Sequence, residues 1–301
     1  MKVDLETYSG HPHTDAKASL TARLECGEVV YFSSCPFDLF SQDDLEFLVQ
    51  QKSGGGFHKN ISYDPNHGRT SGYLTFSRQQ RRRLRGLLKG FSERATAWLA
   101  GLLPRYAQSW RLDRVHYRPE EEATRILRDT ARDELLHVDA FPTRPSRGDR
   151  ILRLFVNLND CEPRTWVTSE TFSFLLERFG RQAGLPHEVE ATWPRRLRHG
   201  LLGLVQPHYR RRTIYDSFML RFHHFLKNHQ GFQDRGARKF HSFAPGSAWL
   251  VFSDGLAHGE LRGQFALDHS YFIASETLEL PELAPASLLE KACGLSVRHA
   301  A

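Results

Sequence analysis

Two side chains that often bind iron in proteins stand two residues apart in the segment Leu135–Pro142: they are His137 and Asp139. Residues two apart in a β-strand project to the same side. An imidazole and a carboxylate on one face supply two ligands of a 2-His-1-carboxylate iron site, whose remaining positions stay open for a co-substrate and oxygen. The spacing therefore predicts an oxidising iron site that needs one further histidine from a distant part of the chain.

The His-x-Asp triplet is not specific by itself, because His13 and Asp15 have the same spacing. That copy lies in a polar segment with no adjacent strand, so nothing there would hold the ligand geometry. The copy at His137 precedes the run Arg150–Asn157, whose composition is typical of a strand. Context therefore favours His137 and Asp139 as the ligands.

Several later histidines could complete the site. His223 and His224 occur in a segment with helical spacing and are interpreted as surface residues, whereas His241 precedes a predicted strand and His269 lies within one. His258 follows a strand-like run and a turn, and another predicted strand follows it. The predicted iron ligands and catalytic residues are therefore His137, Asp139 and His258.

Such a site needs a cation that holds the far carboxylate of 2-oxoglutarate. Arg153 lies inside an otherwise apolar strand, where a guanidinium requires an anionic partner. Arginine pairs with a carboxylate through two parallel hydrogen bonds. The alternative for each arginine near this strand is a surface salt bridge. The predicted cofactor-binding residues are Arg153, Arg118, Arg164, Trp166 and Asn157.

The rest of the sequence predicts the elements that would position these groups. Apolar residues at helical spacing predict a packing helix over residues 77–107, and short apolar runs from Arg111 onward predict strands of an antiparallel sandwich or barrel with helical inserts. Residues 54–72 are interpreted as a flexible connection. No linker or repeat is visible, so we expect one domain over residues 1–301, with a loose segment 1–27 and a core over about 111–275.

Composition and charge limit the function classes. A net charge of +6 suits an anionic partner. One face of the 77–107 helix is basic and is either a solvated face or a surface that meets anionic lipid. No apolar run reaches membrane-spanning length, no secretion signal is visible, and the cysteines form no zinc pattern, so we expect a cytoplasmic protein with at most peripheral membrane contact. The basic face comprises Arg81, Arg82, Arg83, Arg85 and Lys89, and the cysteines are Cys26, Cys35, Cys161 and Cys293.

The run His137–Pro145, continued through Arg150–Asn157, resembles the Kdo hydroxylases. Kdo is 3-deoxy-D-manno-oct-2-ulosonic acid, the inner sugar of Gram-negative lipopolysaccharide. Further matching segments are Lys59–Tyr63, Tyr215–His223 and Trp249–Gly263, so the resemblance covers roughly residues 30–275. It implies a mainly β protein with flanking helices, a double-stranded β-helix (jelly roll, cupin-like).

The resemblance also implies an activity, namely hydroxylation of Kdo at carbon 3 on a lipid A precursor with iron(II), 2-oxoglutarate and O2. The products would be D-glycero-D-talo-oct-2-ulosonic acid, CO2 and succinate. Many oxygenases of this fold place a cation on the strand after the distal histidine, but Ala266–Ser270 offers only His269 here, which shifts that role toward Arg153. The substrate would be an anionic glycolipid, and the residues expected to contact it are Arg144, Arg147, Lys59 and Asn60.

Two other functions remain open on the sequence. An oxygenase of the same fold could act on nucleic acid or on protein side chains, although no alternation of aromatic and basic residues typical of a base-stacking surface is present. A cupin-like binding module without catalysis would need no iron. The predicted triad argues against that module.

Overall fold

The computed structural model describes residues 19–54, 60–74, 77–124, 132–185 and 212–298, together with the backbone of a strand at Leu5–Tyr8. The strands are β1 (Leu5–Tyr8), β2 (Val29–Phe32), β3 (Ile61–Asp64), β4 (Arg69–Ser71), β5 (Arg111–Arg118), β6 (Arg150–Asn157), β7 (Arg164–Thr171), β8 (Lys239–Phe243), β9 (Ala248–Phe252), β10 (Leu256–Arg262) and β11 (Ala266–Ile273). The helices are α1 (Leu20–Glu25), α2 (Gln42–Val49), α3 (Arg78–Leu102), α4 (Pro104–Ala107), α5 (Phe172–Phe179), α6 (Ile214–Asn228), α7 (Gln230–Arg235) and α8 (Pro285–Cys293).

These strands form two antiparallel sheets. The larger has the order β1-β2-β9-β6-β11-β5-β3-β4, and the smaller has the order β10-β7-β8. Strands that follow one another in the chain, such as β6 and β7 or β9 and β10, lie in different sheets. The chain therefore passes back and forth between the sheets, which brings β6, β10 and β11 to one site although they are far apart in sequence.

Three apolar clusters show how the layers pack. One lies between the sheets and contains Val29, Tyr31, Phe155, Trp166, Phe243, Trp249, Val251 and Leu256. A second joins the outer face of the larger sheet to α3, and a third joins the outer face of the smaller sheet to α5, α6 and α8. Because side chains alternate along a strand, the residues between these outward apolar positions must point into the space between the sheets.

β6 and β10 illustrate this alternation. On β6, Leu152 and Leu154 pack outward toward the helices, and Arg153 points inward between them. On β10, Ala257 packs outward and His258 points inward. The period of two therefore places a guanidinium and an imidazole inside a buried interior.

Helix α3 forms where the sequence predicts a packing helix. Ser77 caps it by accepting a hydrogen bond from the Gln80 backbone N–H, and its apolar stripe, which includes Leu88 and Phe91, is buried on the sheet. The predicted helix over residues 77–107 is two helices, because α3 ends at Leu102 and Pro104 begins α4. Proline disfavours helical conformation in the residue before it. None of the helices in the described ranges has the length and apolarity needed to cross a membrane.

Two segments differ from their sequence interpretation. Residues 54–72 contain the hairpin β3–β4, because Ile61 and Tyr63 alternate into the core, as strand residues do. Residues 1–27 contain β1 and α1, and Leu24 anchors α1 in the apolar cluster beneath α3. Apolar residues are too few in both segments for strand alternation or helical spacing to be recognised in the sequence alone.

Candidate active site

The segment that carries His137 and Asp139 lies along β10. His137 and His258 exchange backbone hydrogen bonds of 3.0 and 2.9 Å, and the Asp139 N–H donates to the Ser253 carbonyl at 2.8 Å. The prediction of a regular strand here is wrong, since His137 makes only an isolated bridge to His258. The close approach of this segment to β10 requires a glycine at position 259, because a Cβ atom there would stand 2.6 Å from the Glu134 carbonyl oxygen.

The structure brings the three predicted ligands together. His137 Nε2 lies 3.6 Å from Asp139 Oδ1, and the ligand atoms of His137, Asp139 and His258 all lie within 4.8 Å of one another. His137 Nδ1 contacts the Leu135 carbonyl at 2.6 Å and His258 Nδ1 contacts the Leu256 carbonyl at 3.0 Å. These contacts place the protons on Nδ1 and leave both Nε2 lone pairs directed at one point.

This donor set fits an iron(II) ion. All three side chains are buried, and His258 Nε2 is a buried atom with no hydrogen-bond partner in the described part of the chain. An unpartnered buried nitrogen is costly unless it binds a ligand. Two imidazoles and one carboxylate on one side of an ion are the 2-His-1-carboxylate arrangement that keeps other coordination positions open.

Burial and neighbouring charges keep Asp139 and His258 in the protonation states that bind a metal ion. Burial opposes ionisation of Asp139, but the Arg153 guanidinium, His137 and His258 together hold the pKa of Asp139 well below its usual range. Burial, and then the nearby His137, lower the pKa of His258 to about 4. Asp139 is therefore a carboxylate and His258 a neutral imidazole at neutral pH, as metal binding requires.

Arg153 links the triad to the interior of the sheet. Its Nη1 donates to Asp139 Oδ2 at 2.9 Å and its Nη2 donates to Asp268 Oδ1 at 2.8 Å. Asp139 thus has one oxygen held by arginine and the other free to face the metal. Such outer contacts orient the ligand and tune its basicity.

Arg118 and Arg164, which the sequence also predicts at the co-substrate site, both belong to a buried ionic network. Arg118 lies within 3.3 Å of carboxylate oxygens of Asp268, Glu260, Glu122 and Asp133. These four acidic residues keep the pKa of Arg118 well above its usual range, although burial opposes it. Arg118 also reaches the cleft described below.

Arg164 and Asn157, which the sequence predicts to bind the co-substrate, are fully buried behind the cleft. Arg164 is fully buried and donates to Glu260 Oε2 at 2.5 Å and to the Gly263 carbonyl at 2.9 Å. The Asn157 amide donates to the carbonyls of Glu162, Phe243 and Ala244. Neither side chain lines the cleft, so their contacts assign them to holding the strands behind it.

Trp166 stacks on a predicted iron ligand. Its ring lies 5.3 Å from the His258 ring, centroid to centroid, at an angle of 16°. It also contacts Phe155 and Trp249 edge-on in the cluster between the sheets. Trp166 therefore fixes the plane of the His258 imidazole.

A cleft of about 250 Å³ opens at the triad. Four basic side chains, Arg118, Arg144, Arg153 and Lys227, line it together with three acidic ones, so positive groups are in small excess where an anionic molecule would enter. The remaining lining residues are Asn60, His116, Asp133, His137, Asp139, Ala140, Phe141, Pro142, His223, His224 and Glu260.

The predicted substrate residues have different positions. Asn60 and Arg144 line the cleft, and the Arg144 guanidinium pairs with Asp113 and packs on the Phe141 ring. Arg147 is exposed and does not line the cleft, and its backbone N–H donates to Asp216 Oδ1 at 3.0 Å. Lys59 lies outside the described residues.

The interpretation of His223 and His224 as surface residues is wrong for His223. That side chain is buried, its ring lies 4.8 Å from the His137 ring, and its Nδ1 contacts the Val138 carbonyl at 2.8 Å. Both histidines line the cleft. The signal was present, since His223 shares the apolar stripe of α6 with Met219 and Leu226.

The sequence analysis did not identify Asp268, and it named the adjacent His269 as a possible cation and as a candidate third ligand. His269 faces the apolar side of β11, where its Nδ1 contacts the Tyr271 hydroxyl at 2.7 Å and burial lowers its pKa to about 3. A neutral imidazole there is no anchor for a carboxylate. Asp268 faces the site and binds Arg153 and Arg118. A charged residue inside an apolar strand was the available signal, as it was for Arg153.

Comparison with known proteins decides the family. A sequence model of the 3-deoxy-D-manno-oct-2-ulosonic acid (Kdo) hydroxylase family matches residues 8–296. The chain belongs to the Kdo hydroxylase family. A comparison with curated proteins finds no match.

Solved Kdo hydroxylases have the same fold. A crystal structure of the Kdo hydroxylase KdoO with alpha-ketoglutarate (2-oxoglutarate) and Fe(III) is 32% identical, covers 92% of this chain and 90% of its own, and has a TM-score of 0.80. A KdoO structure with cobalt(II) is 33% identical with the same coverage and a TM-score of 0.81. A third, with succinate and Fe(III), is 32% identical, covers 92% and 89%, and has a TM-score of 0.80.

These matches confirm two sequence predictions. The resemblance to Kdo hydroxylases extends over most of the chain. The fold is a double-stranded β-helix, mainly β with flanking helices, as in the KdoO structures.

Proposed function

We propose that this Kdo hydroxylase family member uses iron(II), 2-oxoglutarate and O2 to hydroxylate the Kdo sugar of an anionic glycolipid at carbon 3. The products are D-glycero-D-talo-oct-2-ulosonic acid, succinate and CO2. The observation that carries the proposal is that ligand atoms of His137, Asp139 and His258 all lie within 4.8 Å of one another, beside a cleft that His137 and Asp139 line. The KdoO structures, described as Fe(II) alpha-ketoglutarate-dependent dioxygenases, support the same chemistry.

The residues of this chain have separate tasks. His137, Asp139 and His258 would hold the ion, which when bound supplies the redox chemistry that activates O2 with 2-oxoglutarate. Arg153 orients Asp139 through Oδ2 and lies where the far carboxylate of 2-oxoglutarate can pair with its guanidinium, assisted by Arg118. The protein otherwise has to place the reacting carbon near the ion and exclude water.

Five further lining residues of the cleft suit a sugar acid. Arg144 and Lys227 supply positive charge for the Kdo carboxylate, and Asn60, His223 and His224 supply hydrogen-bonding groups for hydroxyls. The Asn60 Oδ1 atom is buried and has no partner in the described ranges, so a hydroxyl donor would satisfy it. We propose these five residues as the substrate-binding set.

Anaerobic reconstitution tests the function directly. The protein is loaded with iron(II) and 2-oxoglutarate, mixed with a Kdo-bearing lipid A precursor, and exposed to ¹⁸O2. We expect one labelled oxygen on the Kdo sugar by mass spectrometry and one succinate per hydroxylated sugar. Oligonucleotide and peptide substrates serve as controls and should give no labelled product. A labelled oligonucleotide or peptide with an unmodified sugar would reject the proposal.

We also propose that the protein acts at the cytoplasmic surface of the inner membrane by peripheral contact. The support is the net charge of +6 and four cysteines that are all free. Co-sedimentation with vesicles containing phosphatidylglycerol is expected to fall as salt rises, because ions screen exposed charges. Phosphatidylcholine vesicles are the control, and sedimentation that does not respond to salt would contradict the contact.

A further inference from the structure

A second cavity, larger than the active cleft, lies between β4 and the first turns of α3. Its volume is about 430 Å³, compared with about 250 Å³ for the cleft. We call it the arginine groove, and its wall consists of Gly68, Arg69, Thr70, Tyr73, Arg78, Arg81, Arg82 and Arg85. Five of these eight residues are arginines, and none of the eight is acidic.

The arginines of α3 face the groove together because of their spacing. Arg78, Arg82 and Arg85 stand at positions i, i+4 and i+7, which lie on one face of a helix. The N-terminus of this 25-residue helix adds positive partial charge at the same end. A concentrated cationic cavity of this kind attracts anions from solution.

These arginines are not used to hold the fold. Across the described ranges, no carboxylate pairs with Arg69, Arg78, Arg82 or Arg85, and all four are exposed. Their neighbour Arg83, outside the groove, lies 2.7 Å from Asp44 Oδ1. Four of the five groove arginines therefore have no carboxylate partner within the described ranges, which is typical of a site for an external anion.

A threonine in the wall indicates which anion fits. Thr70 Oγ1 is a buried atom with no hydrogen-bond partner among the described residues. A hydroxyl can donate to a phosphate oxygen, and guanidinium groups pair with phosphate through two parallel hydrogen bonds. Several arginines with one hydroxyl match a phosphate ester on a bulky molecule.

The hairpin β3–β4 connects the groove to the active cleft. Asn60 directly precedes β3 and lines the cleft, and Tyr73 follows β4 and lines the groove. Since Ser62 pairs with Ser71 in this hairpin, Asn60 and Tyr73 lie at the same end of it. The two cavities therefore adjoin the same end of one hairpin.

We propose that the arginine groove binds phosphate groups of the glycolipid whose Kdo sugar enters the active cleft. This rests on the proposed function, because lipid A carries phosphates at a distance from its Kdo sugars. The groove then acts as a second recognition site that selects phosphorylated acceptors. It contributes to binding and takes no part in the chemical step.

The test compares two substrates in neutral phosphatidylcholine vesicles: Kdo-lipid A with its phosphates, and the same glycolipid after removal of its phosphates. In the triple variant Arg78→Ser, Arg82→Ser and Arg85→Ser, we expect KM for the phosphorylated glycolipid to rise about tenfold or more. KM for the dephosphorylated glycolipid and kcat for both should stay unchanged. The matched control removes the same charge from exposed arginines of α5, α7 and the turn after α5: Arg178→Ser, Arg181→Ser and Arg235→Ser.

Sedimentation separates this proposal from the proposed function, since it needs no turnover. Wild-type protein without iron should sediment more with phosphatidylcholine vesicles that contain the phosphorylated glycolipid than with those that contain the dephosphorylated one, and the triple variant should lose that difference. An equal loss on both glycolipids, or no loss on either, would overturn the groove as a phosphate site. A loss of the same size on phosphatidylglycerol vesicles without glycolipid would assign these arginines to the bulk membrane and also overturn it.

Discussion

Replacing His258 with alanine is expected to abolish succinate formation and stoichiometric iron binding while leaving the fold intact. His258 Nε2 is one of three converging donors and has no other partner in the described part of the chain. Loss of an outer-shell contact alone typically costs about 10- to 100-fold in metal affinity or activity, so removal of a ligand should exceed a hundredfold. Iron content, succinate yield and circular dichroism of the purified variant measure the three quantities.

His269 offers a matched control for this variant. Its side chain is also fully buried, and its Nε2 also has no partner in the described ranges, but it faces the apolar side of β11. His269→Asn is expected to lower stability yet to retain iron and turnover at a temperature where the protein is folded. If both variants lost iron equally, the effect would come from a disturbed core, and His258 would not be a ligand.

Replacing Arg153 with glutamine is expected to raise KM for 2-oxoglutarate at least about tenfold and to weaken iron binding. The guanidinium holds Asp139 and faces the cleft where 2-oxoglutarate would bind. The variant also leaves Asp268 with one fewer buried partner, which should lower the free energy of unfolding by about 3–5 kcal/mol. Steady-state kinetics and denaturant unfolding separate the two effects.

Arg150 provides the comparison for Arg153. It lies on the same strand, is equally buried, and pairs with Asp254 at 3.2 Å, but it does not line the cleft. Arg150→Gln should cost a similar free energy of unfolding and leave KM for 2-oxoglutarate unchanged. Arg153→Lys should restore part of the stability but little of the co-substrate affinity, because lysine lacks the planar fork. Equal changes in KM for Arg150→Gln and Arg153→Gln would remove Arg153 from the co-substrate site.

The residues that point inward from a single strand could be predicted, because the alternation of side chains depends only on neighbouring positions in the sequence. Arg153 is the charged member of an alternating strand, and the period of two predicts that it points away from Leu152 and Leu154. His258 was selected by the turns and strands around it. The sequence also predicts helical inserts over residues 170–179 and 216–227, and α5 and α6 lie close to these ranges because apolar stripes and the Thr213 capping box are local signals.

The ionic partners of the site could not be predicted, because they come together only in the folded chain. Arg118 meets Glu122 from the next turn, Glu260 from β10 and Asp268 from β11. Sequence spacing gives no distance between residues of different sheets. The same limit explains His223, whose helical position was visible but whose contact with His137 depends on how α6 packs against β10 and the segment before β6.

The placement of two of the three predicted iron ligands outside the regular sheets has a thermodynamic consequence. Backbone hydrogen bonds to β10 and Ser253 hold the short segment that carries His137 and Asp139, and its Leu136 and Val138 side chains are buried in the apolar cluster on the smaller sheet, whereas His258 belongs to the sheet itself. Opening of that segment would expose Leu136 and Val138 but would break no ladder of either sheet, so we expect release of a bound ion to need a local opening that costs less free energy than global unfolding. Bound iron would in turn stabilise the closed position of this segment. The metal affinity would therefore include the free energy of closing the segment.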